Sequence, residues 1–318
     1  MIPSQPDISV IFATYNRADI LRQTLLAMSF VNTGNLRCEF VVVDNNSSDN
    51  TPQVIDSFAD KMPLIHLFEK TPGKSAALNL ALETVTLGKI IVFTDDDVMP
   101  SPDWLFSIKD SCDRKKDFDV FGGRILLAWP KTDIPQWANN RNIQYWAFGL
   151  HDLGDKEMPY ADRNYPGGAN YWVRRQALGP NIRFDSAVGP RPEKYKIMGT
   201  ETSFLHLLRS NGSKLLYSPN AVVKHFVQPN LLDPATLKKR AFRWGKGMPH
   251  RGMCHPNLHS EHPYIWRLLR AASAARHTAN LAVSCLISDQ NKRISRRLDT
   301  VTKLGYDIES LRLSLQNL

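Results

Sequence analysis

The stretch Lys89-Ile90-Ile91-Val92-Phe93-Thr94, followed at once by Asp95, Asp96 and Asp97, constrains this chain more than any other. An unbroken run of apolar β-formers predicts a strand covered on both faces, as in a parallel sheet. Ligands of open α/β sheets bind at the carboxyl ends of strands, which is where the three acids stand. Adjacent carboxylates repel one another, and a bound divalent cation relieves that repulsion. Mg²⁺, for instance, takes one or two carboxylates together with substrate phosphates. The competing reading is a solvated acidic turn.

The surrounding pattern extends the strand into a sheet. Asp7–Thr14, Glu39–Val43, Leu64–Phe68 and Val120–Ile125 read as further strands. Between them, Ile20, Leu21, Leu25 and Met28 line a helix that Asn16 is expected to cap, with Asp19 in its first turn. Thr51-Pro52 opens a second helix, Gly73-Lys74-Ser75 a third and Pro102-Asp103-Trp104 a fourth. Four strand–helix alternations in about 120 residues predict a doubly wound, mostly parallel α/β sheet. The turn after the first strand is Ala13-Thr14-Tyr15-Asn16-Arg17, without the Gly-x-Gly-x-x-Gly of a nicotinamide site, so a dehydrogenase is excluded there.

The second half is looser. Trp129, Trp137, Tyr145 and Trp146 stand in an irregular stretch and serve either as a sugar-binding wall or as core plugs. Gly167-Gly168 permits a tight turn or a close backbone approach to a ligand. Tyr171-Trp172-Val173, Leu215–Tyr217 and Ala221–Val223 read as short strands. Glu201–Ser210 reads as a helix with Gly212 as its C-cap. Glu201 at that N-terminus is either a dipole partner or a functional acid, and His225 after the last strand either structural or a ligand.

Seven motifs in order resemble those of a family 2 glycosyltransferase of the GT-A fold. They are Thr14-Tyr15-Asn16-Arg17, Val43-Asp44 with Asn45 to Thr51, Gly73–Asn79, Asp95-Asp96-Asp97, Gly167-Gly168-Ala169-Asn170, Gly199-Thr200-Glu201 and Val223-Lys224-His225. The resemblance runs from about Ile8 to Gly247. It implies a GT-A domain over 1–247, with a nucleotide-binding half at 1–125 and an acceptor half at 126–247. Residues 248–318 form a basic helical extension. It further implies that Thr14, Tyr15, Asn16, Arg17 and Asp44 hold the nucleoside of a nucleoside diphosphate sugar, with UDP the expected nucleotide. Lys74, Asp95 and Asp96 would approach the donor as well. Asp97, with Asp95 and His225, would bind Mn²⁺ or Mg²⁺, and Glu201 would be the base of an inverting transfer. Gly168, Asn170, Trp172, Arg243 and Trp244 would contact the acceptor or the diphosphate. Two positions depart from the family pattern: Glu201 stands where an Asp is usual, and Arg240 replaces the Gln of a Gln-x-x-Arg-Trp motif. The alternatives are a nucleotidyltransferase that makes the donor and a non-catalytic binding protein on a degenerate transferase fold. The first would carry a glycine-rich phosphate loop after its first strand.

Charge separates the tail from the body. From Leu237 onward there are 15 Lys/Arg and 5 Asp/Glu, whereas the other 236 residues hold 25 and 26. A basic tail without a nucleic-acid-binding motif points to an anionic membrane surface or to docking on its own domain. Ala271–Ile287 is a poor membrane span, with Arg276, His277 and Asn280 inside it. Ile294, Leu298, Val301, Ile308, Leu311 and Leu315 recur as an amphipathic helix accompanied by Arg293, Arg296, Arg297 and Lys303. His250, Cys254, His255, His259 and His262 match no standard zinc spacing, and a loop that closes over the nucleotide is the other reading. Four cysteines without paired spacing and an N-terminus without a signal-peptide pattern predict a cytoplasmic protein, peripheral on the inner face of the cell membrane if the tail binds lipid. The acceptor would then be a saccharide or a lipid-linked saccharide.

Overall fold

The computed structural model describes residues 5–186, 188–189, 198–251 and 263–316. These fall into two compact units. The first comprises the described residues of Met1–Ala128, Gly149–Glu193 and Thr200–Phe226; the second, those of Trp129–Phe148, Lys194–Gly199 and Val227–Leu318.

The first unit is a nine-stranded sheet. Its strands are β1 (Ile8–Thr14), β2 (Cys38–Asp44), β3 (Leu64–Phe68), β4 (Ile90–Thr94), β5 (Val98–Pro100), β6 (Val120–Ala128), β7 (Met158–Pro159), β8 (Asn170–Arg174) and β9 (Leu215–Phe226). They lie in the order β3-β2-β1-β4-β8-β6-β9-β5, with β7 also on β9. β1 to β4 are mutually parallel where they pair. β8 enters antiparallel between β4 and β6, so the sheet is mixed rather than uniformly parallel. The two short strands expected at 215–217 and 221–223 form one, β9, because a bulge opposite Gly123 and Arg124 absorbs Pro219, Asn220 and Ala221 without ending the pairing with β6.

Period-two alternation feeds two cores, one on each sheet face. Ile8, Val10, Phe12, Val92 and Trp172 face α1 (Ala18–Ser29), α2 (Thr51–Asp56) and α4 (Trp104–Arg114). Ile11, Val41, Val43, Phe93 and Tyr171 face α3 (Lys74–Thr84) and α5 (Thr200–Ser210). On this second face Phe93 stacks on Tyr171 with centroids 5.0 Å apart, and Phe184 on Phe204 at 3.9 Å. This aromatic pile backs the end of β4 and stiffens it.

Asn16 does not cap α1. The cap position is Arg17, and Asn16 adopts φ 50°. Its Oδ1 instead accepts from the Ser48 backbone N–H at 2.7 Å, while its own N–H donates to Ser47 Oγ at 2.9 Å. Asparagine tolerates that left-handed conformation, and its short amide joins the loop after β1 to the loop after β2.

The second unit is helical: α6 (Pro234–Gly247), α7 (Pro263–Val283) and α8 (Gln290–Gln316), with a short segment at Gln136–Phe148. Asp233 caps α6 by accepting from the Ala235 and Thr236 backbone N–H groups, and Pro234 occupies the first turn. Trp137 is a buried plug beside Phe148, whereas Tyr145 stays half exposed. Ile294 and Leu298 bury against neighbouring helices, so α8 docks within its unit. Two glycines set the α6–α8 crossing. A Cβ on Gly245 would lie 1.9 Å from Thr302 O, and one on Gly305 2.3 Å from Phe242 O. The backbones therefore touch, and neither carbonyl can swing aside as a side chain would. Gly305→Ala is expected to destabilise the chain by about 3 kcal/mol or more, read as a lowered midpoint in urea; an unchanged midpoint would show that the crossing relaxes freely. His250 Nε2 pairs with Glu309 at 3.0 Å; Cys254, His255, His259 and His262, and the closing loop expected there, lie outside the described residues.

Candidate active site

Strand order reverses around β1: β2 and β3 lie to one side and β4 to the other. The carboxyl ends of β1, β2 and β4 and the start of β8 meet at this switch, within the first unit. Thr14 and Asp44 end β1 and β2 in register, and both are buried. Asp44 accepts the Ser47 backbone N–H at 3.0 Å, which holds its carboxylate at the mouth of the switch. Tyr15 is exposed there.

The triple acid is not a solvated turn. Asp96 and Asp97 are both 5% exposed. Arg17 pairs with Asp96 through Nη1, and its Nη2 lies 3.0 Å from Asp97 Oδ2. His225 Nε2 stands 3.1 Å from Asp97 Oδ1. Burial alone would push the Asp97 carboxyl up; His225 and Arg17 overcome it and hold Asp97 well below the usual carboxylate range. Asp96 moves the other way, to about 6, because burial and the neighbouring Asp97 outweigh Arg17. Behind them, Thr24 Oγ1 donates to Asp96 O at 2.8 Å and accepts from the Val98 N–H at 3.2 Å, pinning the turn to α1.

Lys74, at the start of α3, pairs with both Asp95 and Glu201. Burial opposes its charge, and the two carboxylates more than restore it, so its ammonium titrates above the ordinary lysine range. Glu201 lies in the first turn of α5. A Cβ on Gly168 would sit 2.9 Å from the Glu201 Cγ and Cδ, so only glycine lets this carboxylate lie flat on the β8 approach. Tyr171 points to the same side. Its hydroxyl is buried without a partner among the described residues, and burial, followed by the charges of Glu201 and Asp95, raises its pKa well above normal.

Two expected contacts lie elsewhere. Trp172 is fully buried and stacks on Phe121 at 5.6 Å, on the sheet face opposite Tyr171. The side-chain amide of Asn170 is committed to Trp104 Nε1, Arg124 O and Ala221 O. Neither can meet an acceptor. The error is one residue of strand period: Tyr171, not Trp172, faces the acids. Arg243 and Trp244 lie on α6 of the second unit. Thr24 is a further residue that shapes the site, through its two bonds to the acidic turn. Its signal is a threonine on the apolar stripe of α1, between Leu21 and Leu25.

Asp95, Asp97 and His225 each offer one donor atom, all within 4.8 Å of one another. Two carboxylates and an imidazole suit Mn²⁺, and the carboxylates suit Mg²⁺. The charge balance fits as well. Among the described residues, Asp95, Asp96, Asp97 and Glu201 pair with Arg17 and Lys74 as permanent cations, which leaves two negative charges for a divalent ion to neutralise.

The model of the family described as Glycosyl transferase family 2 matches residues 9–178. The succinoglycan biosynthesis protein ExoM of Rhizobium meliloti is 26% identical over 290 residues, covering 89% of this chain and 85% of its own. A similar fold occurs in the mannosyltransferase PcManGT from Pyrobaculum calidifontis, solved in complex with GDP-Man and Mn²⁺. Its TM-score is 0.60 at 20% identity, over 99% of this chain and 88% of that one. S. aureus TarS 1-349 in complex with UDP-GlcNAc gives a TM-score of 0.51 at 17% identity, over 96% and 92% of the two chains.

Proposed function

The chain belongs to glycosyl transferase family 2 and is a glycosyltransferase, and on that premise we propose that it moves a sugar, with inversion, from a nucleoside diphosphate sugar to a hydroxyl of a saccharide or lipid-linked acceptor. The observation that carries this reading is the meeting of Asp95, Asp97 and His225 with Glu201 at one strand edge, Lys74 joining the two groups. The donor's nucleoside lies along Thr14–Arg17 and Asp44, and its diphosphate faces Arg17 and Lys74.

In the transfer, the acceptor oxygen attacks the anomeric carbon as the bond from that carbon to the diphosphate breaks. The diphosphate leaves with the electron pair, and the hydroxyl proton passes to Glu201. Direct displacement with one base inverts the anomeric centre. Asp95, Asp97 and His225 would hold a divalent cation, which supplies charge neutralisation on the leaving diphosphate when bound. Lys74 exchanges Glu201 for the diphosphate as the donor arrives, which frees the base only when there is a sugar to transfer. The pathway is synthesis of a polysaccharide or glycolipid. The protein works on the cytoplasmic side, its basic second unit against an anionic membrane; no described helix is long and apolar enough to cross one.

Thermal-shift titration tests the donor. UDP-sugars are expected to raise the melting temperature with Mn²⁺ present and several-fold less after chelation. GDP- and dTDP-sugars, run alongside, read the base. A donor shift indifferent to the cation would remove Asp95, Asp97 and His225 from the role.

A further inference from the structure

Helix α7 is amphipathic in the wrong sense for a soluble unit. Apolar residues of a surface helix ordinarily face the core. Here the inner side carries Arg267, whose Nη2 donates to Ser314 O at 2.6 Å. It also carries Arg270 and His277, each 3.0 Å from an Asp307 oxygen. Trp266 is the one large apolar residue of α7 that is buried. The outer side carries Tyr264, Ile265, Leu268, Leu269 and Val283, and Leu286 continues the line just beyond the helix. Leu268 is 70% exposed and Leu286 83%. At about 100° per residue these six fall within about 140° of arc, with exposed alanines filling the line between them. Arg276, at about 120° on the same scale, is the one charged residue inside this arc, and an exposed apolar strip of this kind marks an interaction surface.

The charges around the strip select the occupant. Helix α7 contains no Asp or Glu. On α8, Asp307 and Glu309 are buried and paired inward, exposed Asp299 is paired with Lys303, and exposed Asp289, just before the helix, accepts the Lys292 backbone N–H, while the side chains of Lys292 and Arg296 remain exposed. At the C-terminal end of the strip, Arg293 donates to Ile287 O at 3.1 Å and Arg297 to Ser284 Oγ at 3.1 Å, which places two guanidinium groups against the turn that follows α7. Arg276, within the arc, is exposed. A second copy would bring these cations against one another. An anionic bilayer satisfies both features, since acyl chains take the leucines and headgroups take the arginines and Tyr264.

We infer that the outer face of α7, from Tyr264 to Leu286, is an in-plane membrane-docking surface selective for anionic lipid. This rests on the membrane contact proposed above and not on the transfer chemistry. It assigns that contact to α7, whereas α8, the helix whose sequence pattern is more basic, serves as the platform beneath.

Flotation of the purified full chain with vesicles tests this. Wild type is expected to float with vesicles of equal phosphatidylcholine and phosphatidylglycerol, weakly with phosphatidylcholine alone, and less in high salt. Leu268→Glu with Leu286→Glu should cut flotation at least about tenfold with the melting temperature unchanged, since both side chains stand in solvent. Arg276→Glu with Lys292→Glu should weaken flotation without changing an apolar side chain of the strip. A Leu268→Glu, Leu286→Glu variant that floats as wild type does would overturn the assignment to α7 while leaving membrane contact standing. Wild type that never floats would overturn both. A wild-type dimer in sedimentation equilibrium that the leucine variant dissociates would give the face to a second copy instead.

Discussion

Glu201→Gln is expected to lower the transfer rate by a factor of about 10³ or more while donor affinity, measured by calorimetry, stays within a few-fold. Glutamine keeps the length and one acceptor oxygen but cannot take the acceptor's proton. The expected split between kcat and binding follows from the position of this carboxylate. It reaches the site from the first turn of α5 and pairs with Lys74, while the acids that face the diphosphate come from the end of β4. Removing its charge leaves Lys74 with Asp95, so the donor's phosphate contacts persist. Gly168→Ala should reproduce part of the effect without altering any ionisable group. The added methyl would stand 2.9 Å from the Glu201 Cδ and must displace the carboxylate. A reduction of about 10- to 100-fold in kcat is expected, because a shift of about 1 Å in a positioned group costs that much. Retained turnover in Glu201→Gln would take the base role from Glu201. Unimpaired Gly168→Ala would show that its position is not set by the close approach.

Much of this site is written locally, and what is not written locally is tertiary. The β4 run followed by three acids, the helix starts at Pro52 and Lys74, and the C-cap at Gly212 follow from propensity and steric rules acting over a few residues. The structure agrees within a residue or two. The same rules fail where a distant partner decides. Arg17 reads as part of a nucleoside turn, and nothing in residues 14–17 announces that it bridges Asp96 and Asp97, 79 positions away in the nearer case. The Lys74–Glu201 pair spans 127 positions. Trp172 draws attention because it is large and aromatic, but the choice between Trp172 and Tyr171 is a choice of sheet face. That choice depends on β8 entering antiparallel beside β4, which no local pattern encodes. On the tail, the regular apolar spacing of α8 fits a membrane-facing helix and a helix docked on its own domain equally, and the burial of Ile294 and Leu298 decides for docking. Amphipathicity specifies a face, and only packing tells which helix turns its face outward.

Asp97→Asn is expected to abolish the cation-dependent part of the donor's thermal shift and to lower transfer by about 10³-fold or more. The argument begins with charge. Asp97 is almost wholly buried, yet it stays ionised because Arg17 lies 3.0 Å from one of its oxygens and His225 3.1 Å from the other. An amide of the same shape cannot serve as an anionic donor, and at neutral pH the site then keeps Asp95, Asp96 and Glu201, one negative charge in excess of Arg17 and Lys74 among the described residues. That residue of charge no longer matches a divalent ion, so affinity for the cation should fall by both donor loss and electrostatics. Folding should suffer less than catalysis. The Asp97 backbone oxygen still accepts the Phe226 N–H at 2.9 Å, and the turn keeps its Thr24 bonds. Mn²⁺ titration followed by electron paramagnetic resonance, with and without UDP, separates the two consequences. Wild-type Mn²⁺ binding in Asp97→Asn would move the cation off this carboxylate. Lost Mn²⁺ binding with full transfer would show that the reaction proceeds without the ion.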